Sequence, residues 1–320
     1  MPLSRRALLA AGVAGPFLVG CAAPHGGSPG VPEPVSTRPW RGRRGLPRPD
    51  PPGSVGAVSS TRPVPASPTA TPTPTPVAGG VTRDEVIARY GSIRPVAWGL
   101  DVPGVTTMLP PTTGRTIALT FDACGGPLGS GYDQELIDFL RRQRVPATLF
   151  LNSRWIDANR PVFTELAADP LFEIGNHGTQ HRPLSVSGQS AYGIMGTHDA
   201  GEVFDEVAGN RDKLSALLGR PPRFFRAGTA HCDDIATRIV ADLDEHIVNF
   251  DVNGDAGATY PPDQVEKAVL TARPGSIIIG HMNHPLGGTA KGMAAALPRL
   301  SGAGFRFVRL SDCLISKCSA

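Results

Sequence analysis

Five short stretches place reactive side chains at the polar ends of apolar runs. ALTFDACGG (residues 118–126) carries Asp122 behind a strand-like run and ahead of a Gly125–Gly126 turn. EIGNHGTQH (173–181) carries His177 and His181 four residues apart, RFFRAGTAHCD (223–233) carries Arg226, NFDVNGD (249–255) carries Asp251 and Asp255, and SIIIGHMNHP (276–285) carries His281 and His284. A carboxylate at a strand end can take a proton or cap the next helix. Two imidazoles four residues apart lie on one face if the stretch is helical, close enough to share a metal ion. Arg226 would reach the rim occupied by Asp122, or else form a surface ion pair. His281 ends a very apolar run and reads as a site residue, with His284 a second rim residue or plain loop. In α/β folds catalytic groups gather at the carboxyl ends of the strands.

The elements that would position them alternate. After the 118–121 strand, YDQELIDFLRRQ (132–143) puts Leu136, Phe139 and Leu140 on one helical face. VPATLFL (145–151) reads as a buried strand, PVFTELA (161–167) as a helix, and LFEIGNH (171–177) as a strand with a polar end. Residues 199–218 read as a longer helix with Val203, Phe204, Val207, Leu214, Leu217 and Leu218 on one side. RFFRAG, HIVNFDV, GSIIIGH and the closing FRFVRLSDCL add further strand-like runs. This β–α repetition predicts an α/β fold with a mostly parallel sheet or barrel of about seven strands.

Composition divides the chain of 320 residues. Residues 1–80 hold 17 of its 33 prolines and eight arginines, no lysine, and only Glu33 and Asp50 as acids. The remainder has 23 basic and 26 acidic groups, so the basic balance belongs to the leading segment and nucleic acid is not an expected partner. Residues 1–21 read as an export signal: Arg5 and Arg6 precede an apolar run too short to span a bilayer. SRRALLA resembles a twin-arginine signal, and LVGC (18–21) resembles a lipobox, which makes Cys21 the expected lipidation site and a lipid on the outer face of the cell membrane the only membrane link. If the lipobox is not used, the product is secreted. Residues 22–80, ending near TPTPTP, read as a disordered Pro-rich spacer. Residues 81–113 form an extension, helical over VTRDEVIARYG with Thr82 or Asp84 near its start and otherwise without an assigned role. Residues 114–320 form the main domain.

The order Asp after a strand, H-x-x-x-H, R-F-F-R, a D-rich strand end, and His after I-I-I-G resembles the polysaccharide deacetylase family, carbohydrate esterase family 4, also called the NodB-homology domain. VPATLFL, EIGNHGTQHRPL and LPRLSGAGFRFVRLSD strengthen the match, which covers roughly residues 114–316. The resemblance implies a distorted (β/α) barrel that removes acetyl groups from N-acetylated sugars in polymers with a divalent metal, often zinc. By resemblance Asp122 stands at the base position, His177 and His181 at the metal positions, His281 at the acid position, and Arg226 orients the base. Asp251 or Asp255 would hold His281, Asp255 being preferred. The expected partner is cell-wall polysaccharide, with peptidoglycan the guess, and the expected state a monomer. A non-catalytic glycan-binding barrel and an O-acetyl esterase are the alternatives. Trp155 is the sole tryptophan of the barrel region, and no stacking platform is evident.

The first motif departs from the family, which has a second aspartate, a metal ligand, where this chain has Ala123. Asp122 itself, a carboxylate such as Asp233 or Asp234, or the Cys124 thiolate could supply the missing ligand. Besides Cys21 there are four cysteines, an even number that in an exported protein suggests disulfides. The pairs expected are Cys124–Cys232 and Cys313–Cys318, the first of which would remove Cys124 as a ligand.

Overall fold

The computed structural model describes residues 80–111 and 114–315. The expected signal, Cys21, almost all of the spacer and Cys318 lie outside the described residues. The strands are β1 (Trp98–Gly99), β2 (Val105–Thr106), β3 (Thr116–Ala123), β4 (Ala147–Leu151), β5 (Phe172–Asn176), β6 (Phe224–Phe225), β7 (Cys232–Asp233), β8 (His246–Val248), β9 (Val252–Asn253), β10 (Ile277–His281) and β11 (Arg306–Val308). The helices are α1 (Arg83–Tyr90), α2 (Gln134–Gln143), α3 (Ser153–Ala158), α4 (Arg160–Ala168), α5 (Ala200–Leu218), α6 (Asp234–Asp242), α7 (Pro262–Val269), α8 (Thr289–Gly302) and α9 (Leu310–Leu314). Among the described residues no helix is long and apolar enough to cross a membrane.

Nine strands form one sheet in the order β2-β8-β6-β5-β4-β3-β10-β9, with β11 also alongside β3, and every pairing in it is parallel. The segment 246–253 is shared. Its first half, β8, pairs with β6 and β2, and its second half, β9, pairs with β10, so the sheet curls back on itself as a distorted barrel with helices outside. The excess over the expected seven strands has two sources. HIVNFDV splits into β8 and β9, and β2 comes from the 81–113 extension. That extension is thus part of the barrel wall. Its α1 starts at a capping box between Thr82 and Glu85 and buries Val86 and Tyr90 in one core cluster with residues of α5 and α6.

Period-two alternation sorts β3. Ile117, Leu119, Phe121 and Ala123 join the core between sheet and helices, whereas Ala118 joins the barrel interior with Phe150, Phe224, Val248 and Ile277. All eight residues of β3 are buried, as a two-sided parallel strand requires. Each fully buried aliphatic side chain contributes about 1.5–3 kcal/mol. Thr120 and Asp122 follow the Ala118 set, so the strand that supplies the outer core also delivers a carboxylate to the barrel mouth. α5 begins at Asp199, whose side chain caps Glu202 N, and stops at Gly219 with φ +70°.

Candidate active site

Asp122, next to last in β3, is 3% exposed, where an unpaired carboxylate would be costly. Its partner is Arg226, wholly buried just after β6. Arg226 Nη1 donates to Asp122 Oδ1 at 2.8 Å and to Thr120 Oγ1 at 2.9 Å, Nε donates to Val248 O at 2.9 Å, and Nη2 donates to Asn249 O at 3.1 Å. The guanidinium also lies 4.3 Å from the centre of the Phe150 ring. Only Oδ1 of Asp122 is engaged by the arginine. Oδ2 faces His177, 3.6 Å from Nε2.

His177 directly follows β5 and is also buried. Its Nδ1 lies 2.8 Å from the Arg226 carbonyl oxygen, which can only accept, so Nδ1 carries the proton and the neutral ring presents the lone pair of Nε2. Burial disfavours the charged ring, but the Asp122 carboxylate and then Cys124 outweigh it and raise the His177 pKa. His181 is reached through a loop, not a helix, so the single-helix-face expectation for this pair is corrected. Gly178 has φ +74°, His181 itself has φ +62°, and the rings meet edge to face with centroids 4.9 Å apart. Glu206 of α5 gathers this loop, its carboxylate accepting from the backbone N–H groups of Gln180 and Arg182 and from Thr179 Oγ1. A side chain at residue 178 would drive its Cβ into Glu206 Oε1, so glycine is required there twice over.

Cys124 completes the cluster. Its Sγ lies 3.9 Å from His177 Nε2, and the ligand atoms of Cys124, His177 and His181 all lie within 4.8 Å of one another. Burial alone would raise the thiol pKa, but His181, and then hydrogen bonds with His177, His181 and His281, hold it well below the usual thiol value. Two imidazoles and a thiolate are a donor set that fits a divalent metal of the zinc class. Asp122 is not one of these three donors, although its Oδ2 stands beside them, 3.6 Å from His177 Nε2. Asp233 and Asp234 are occupied elsewhere: Asp233 caps α6 and accepts from Val186 N, and Asp234 accepts from Val96 N and Ala97 N.

Across the mouth, His281 ends β10. Its Nδ1 lies 2.8 Å from Asp255 Oδ1 and its backbone N–H donates to Asp255 Oδ2 at 2.7 Å, an oxygen that also accepts from Thr289 Oγ1. Burial opposes the charge on His281, but Asp255 more than offsets it and raises the imidazole pKa well above its ordinary value. Asp251 points elsewhere, accepting from Ser276 Oγ and Ile277 N at the other end of β10. Asp122, Cys124, His181 and His281 line one cavity of about 540 Å³, with His284 at its edge and the exposed side chains of Leu128 and Tyr192 at its rim.

Comparison with known proteins bears on the family resemblance and on the fold. Residues 110–248 match the family model described as polysaccharide deacetylase. Over 219 residues the chain is 23% identical to a peptidoglycan-N-acetylglucosamine deacetylase of Bacillus cereus, covering 67% of this chain and 95% of that protein. It is 28% identical over 180 residues to a chitin deacetylase of a Pestalotiopsis species, covering 55% of this chain but only 52% of that protein. A solved pseudoenzyme of the CE4 family from Bacillus anthracis shares the fold at a TM-score of 0.56 and 20% identity, covering 67% of this chain and 70% of that one.

The structure overturns one expected crosslink. Cys124 and Cys232 are both free. Cys124 faces the barrel mouth, whereas Cys232 lies fully buried in β7 between β1 and Leu184, inside the cluster formed with α1, α5 and α6. Burial pushes its thiol pKa up to about 12. Sharing a rim in sequence order did not mean facing the same space. Cys313 is buried in the barrel interior, and its expected partner Cys318 lies outside the described residues. Residues not singled out from sequence also shape the site. Glu206 and Asn210 interrupt the apolar stripe of α5 at the spacing of Val203, Val207 and Leu214, a buried-polar signal that could have been read. Asn210 Nδ2 donates to Leu151 O, and Asn152 Nδ2 donates to the carbonyls of His177 and Gly178. Tyr192, 79% exposed, is braced edge-on by His231, which in turn packs against Trp98, so the rim does carry an aromatic surface.

Proposed function

We propose that this protein is a metal-dependent hydrolase that removes acetyl groups from N-acetylated cell-wall polysaccharide, with peptidoglycan glycan strands as the favoured substrate. The carrying observation is the convergence of an arginine-held carboxylate, a three-donor metal cluster and an aspartate-held histidine on one cavity. When bound by His177, His181 and a third donor, a divalent metal, with zinc the favoured ion, supplies Lewis-acid polarisation of the acetyl carbonyl. Asp122 Oδ2, left open by Arg226, takes a proton from the attacking water. His281, kept protonated by Asp255, gives its Nε2 proton to the sugar nitrogen as the C–N bond breaks, releasing acetate and the free amine. Arg226 holds Asp122 in one orientation, and Asp255 holds His281. The exposed ring of Tyr192 offers a face for a sugar. The signal-like segment, Cys21 and the proline-rich spacer support an extracytoplasmic, lipid-tethered position for a monomeric domain.

The absence of a carboxylate at Ala123 favours a second reading, a glycan-binding barrel without turnover. Against it, Cys124 stands among the histidines. The test is acetate release by the full chain from peptidoglycan and from chitooligosaccharides, before and after chelation and zinc re-addition. Release abolished by chelator and restored by zinc is expected. No release from any of these polymers by the folded protein would reject N-deacetylation of them. An O-acetyl esterase would release acetate from O-acetylated rather than N-acetylated sugars and would lose less rate on His281→Asn, because an alkoxide leaves with less need of a proton than an amine.

A further inference from the structure

Resting on the metal-dependent reading, we infer that Cys124 is the third protein ligand of the metal, making the centre a bis-imidazole thiolate site in place of the bis-imidazole carboxylate site of the family. The backbone dictates this. Ala123 belongs by alternation to the outer core and is 0% exposed, so nothing of its side chain reaches the mouth. The next residue turns back toward the barrel axis and is held there by a fixed turn. Gly125 and Gly126 both have positive φ, Gly125 N donates to Gly129 O at 2.8 Å, and a Cβ on Gly125 would sit 2.6 Å from Trp155 N. Sulfur and nitrogen bound to one tetrahedral ion at ~2.3 and ~2.1 Å stand ~3.6 Å apart. Cys124 Sγ and His177 Nε2 are already 3.9 Å apart.

Asp233 and Asp234 accept backbone N–H groups away from the mouth. Asp122 is the one competing donor near the site: Arg226 holds its Oδ1, and its Oδ2, 3.6 Å from His177 Nε2, is the oxygen the proposed reaction needs as base. Because Cys124 is free, its sulfur is available. On coordination the S–H proton leaves to solvent and the thiolate takes the ligand position, a change of protonation with no redox step. A thiolate with two imidazoles favours zinc and cobalt over magnesium, calcium and manganese. It also leaves Asp122 Oδ2 free to act as base.

The test is spectroscopic and does not depend on turnover. Full-length protein is stripped with chelator, desalted and titrated with Co²⁺. An intense near-ultraviolet sulfur-to-cobalt charge-transfer band saturating at one equivalent is expected, and it should be absent in Cys124→Ser and Cys124→Asp. Cys124→Ser should lose more zinc affinity than the ~10–100-fold that an outer-shell partner costs. In the unaltered chain, iodoacetamide should label Cys124 at least tenfold more slowly with zinc than without. Buried Cys232 should resist in both states, which controls for unfolding. One equivalent of cobalt bound without the sulfur band, or labelling indifferent to bound zinc, overturns this inference and leaves the deacetylase reading standing. Failure to bind either ion overturns both.

Discussion

Arg226→Met should bring the domain close to unfolding. Arg226 is wholly buried, and its guanidinium serves Asp122, Thr120, Val248 O and Asn249 O. Methionine keeps most of the volume and none of the donors. Leaving a carboxylate charged and unpaired at 3% exposure costs ~3–5 kcal/mol, by analogy with other broken buried pairs. Each of the two carbonyls losing its donor adds ~1–3 kcal/mol. The total of ~5–11 kcal/mol competes with the ~5–15 kcal/mol that holds a typical domain together. Adding Asp122→Asn removes the stranded charge, so the double variant should recover ~2–3 kcal/mol relative to Arg226→Met alone. Urea unfolding, followed by circular dichroism and by the fluorescence of buried Trp155 in chelator, measures both. A cost under ~2 kcal/mol for Arg226→Met, or a double variant no more stable than the single, would refute the claim that the carboxylate is held by a buried charge pair.

Glu206→Gln should weaken zinc binding by ~10–100-fold and destabilise the fold by only ~1–2 kcal/mol, because the carboxylate positions the loop bearing His181 and does not itself belong to the ligand cluster; calorimetric zinc titration beside urea unfolding checks it. Tyr192→Ala should raise KM for glycan oligomers several-fold with kcat unchanged, the signature of lost uniform binding; an unchanged KM removes the ring from the substrate path. Glu245 is fully buried beside Asn176, and burial raises its carboxyl pKa well above 4.5. The native state therefore keeps a proton that the unfolded chain releases above about pH 4.5, so this group's contribution to stability falls as pH rises from there toward its native pKa. Glu245→Gln should flatten that fall in urea midpoints measured from pH 4 upward, and parallel pH profiles for the two proteins would reject it.

The barrel was legible because β3, β4 and β10 are buried on both faces and must be apolar nearly throughout. Asp122 near the end of β3 and His281 at the end of β10 stand out against that background, and His177 follows the equally buried β5, which is why all three could be picked from the sequence. Direction was harder to read. The spacing of His177 and His181 suggested a shared helix face, whereas a glycine turn and a left-handed His181 bring the rings together. Cysteine parity describes a redox compartment rather than a distance, so it paired Cys124 with Cys232 although their side chains serve different spaces. Asp251 and Asp255 are four residues apart, and only the turn after β9 decides which one meets His281. β2 is two residues long and carries no periodicity to detect.

The shared segment 246–253 acts as the last stave of a cask. Its main chain offers Val248 O and Asn249 O to Arg226, its far half runs along β10, and Asp255 follows within two residues to grip His281. Pulling that stave would release Arg226 and His281 at once, although Arg226 and its partner Asp122 stand 104 positions apart in sequence. Assembly of the barrel and assembly of the candidate site are therefore one event. A chain that has packed its helices but not seated this segment holds neither Asp122 nor His281 in place, so on the deacetylase reading activity would report that the final seam has closed.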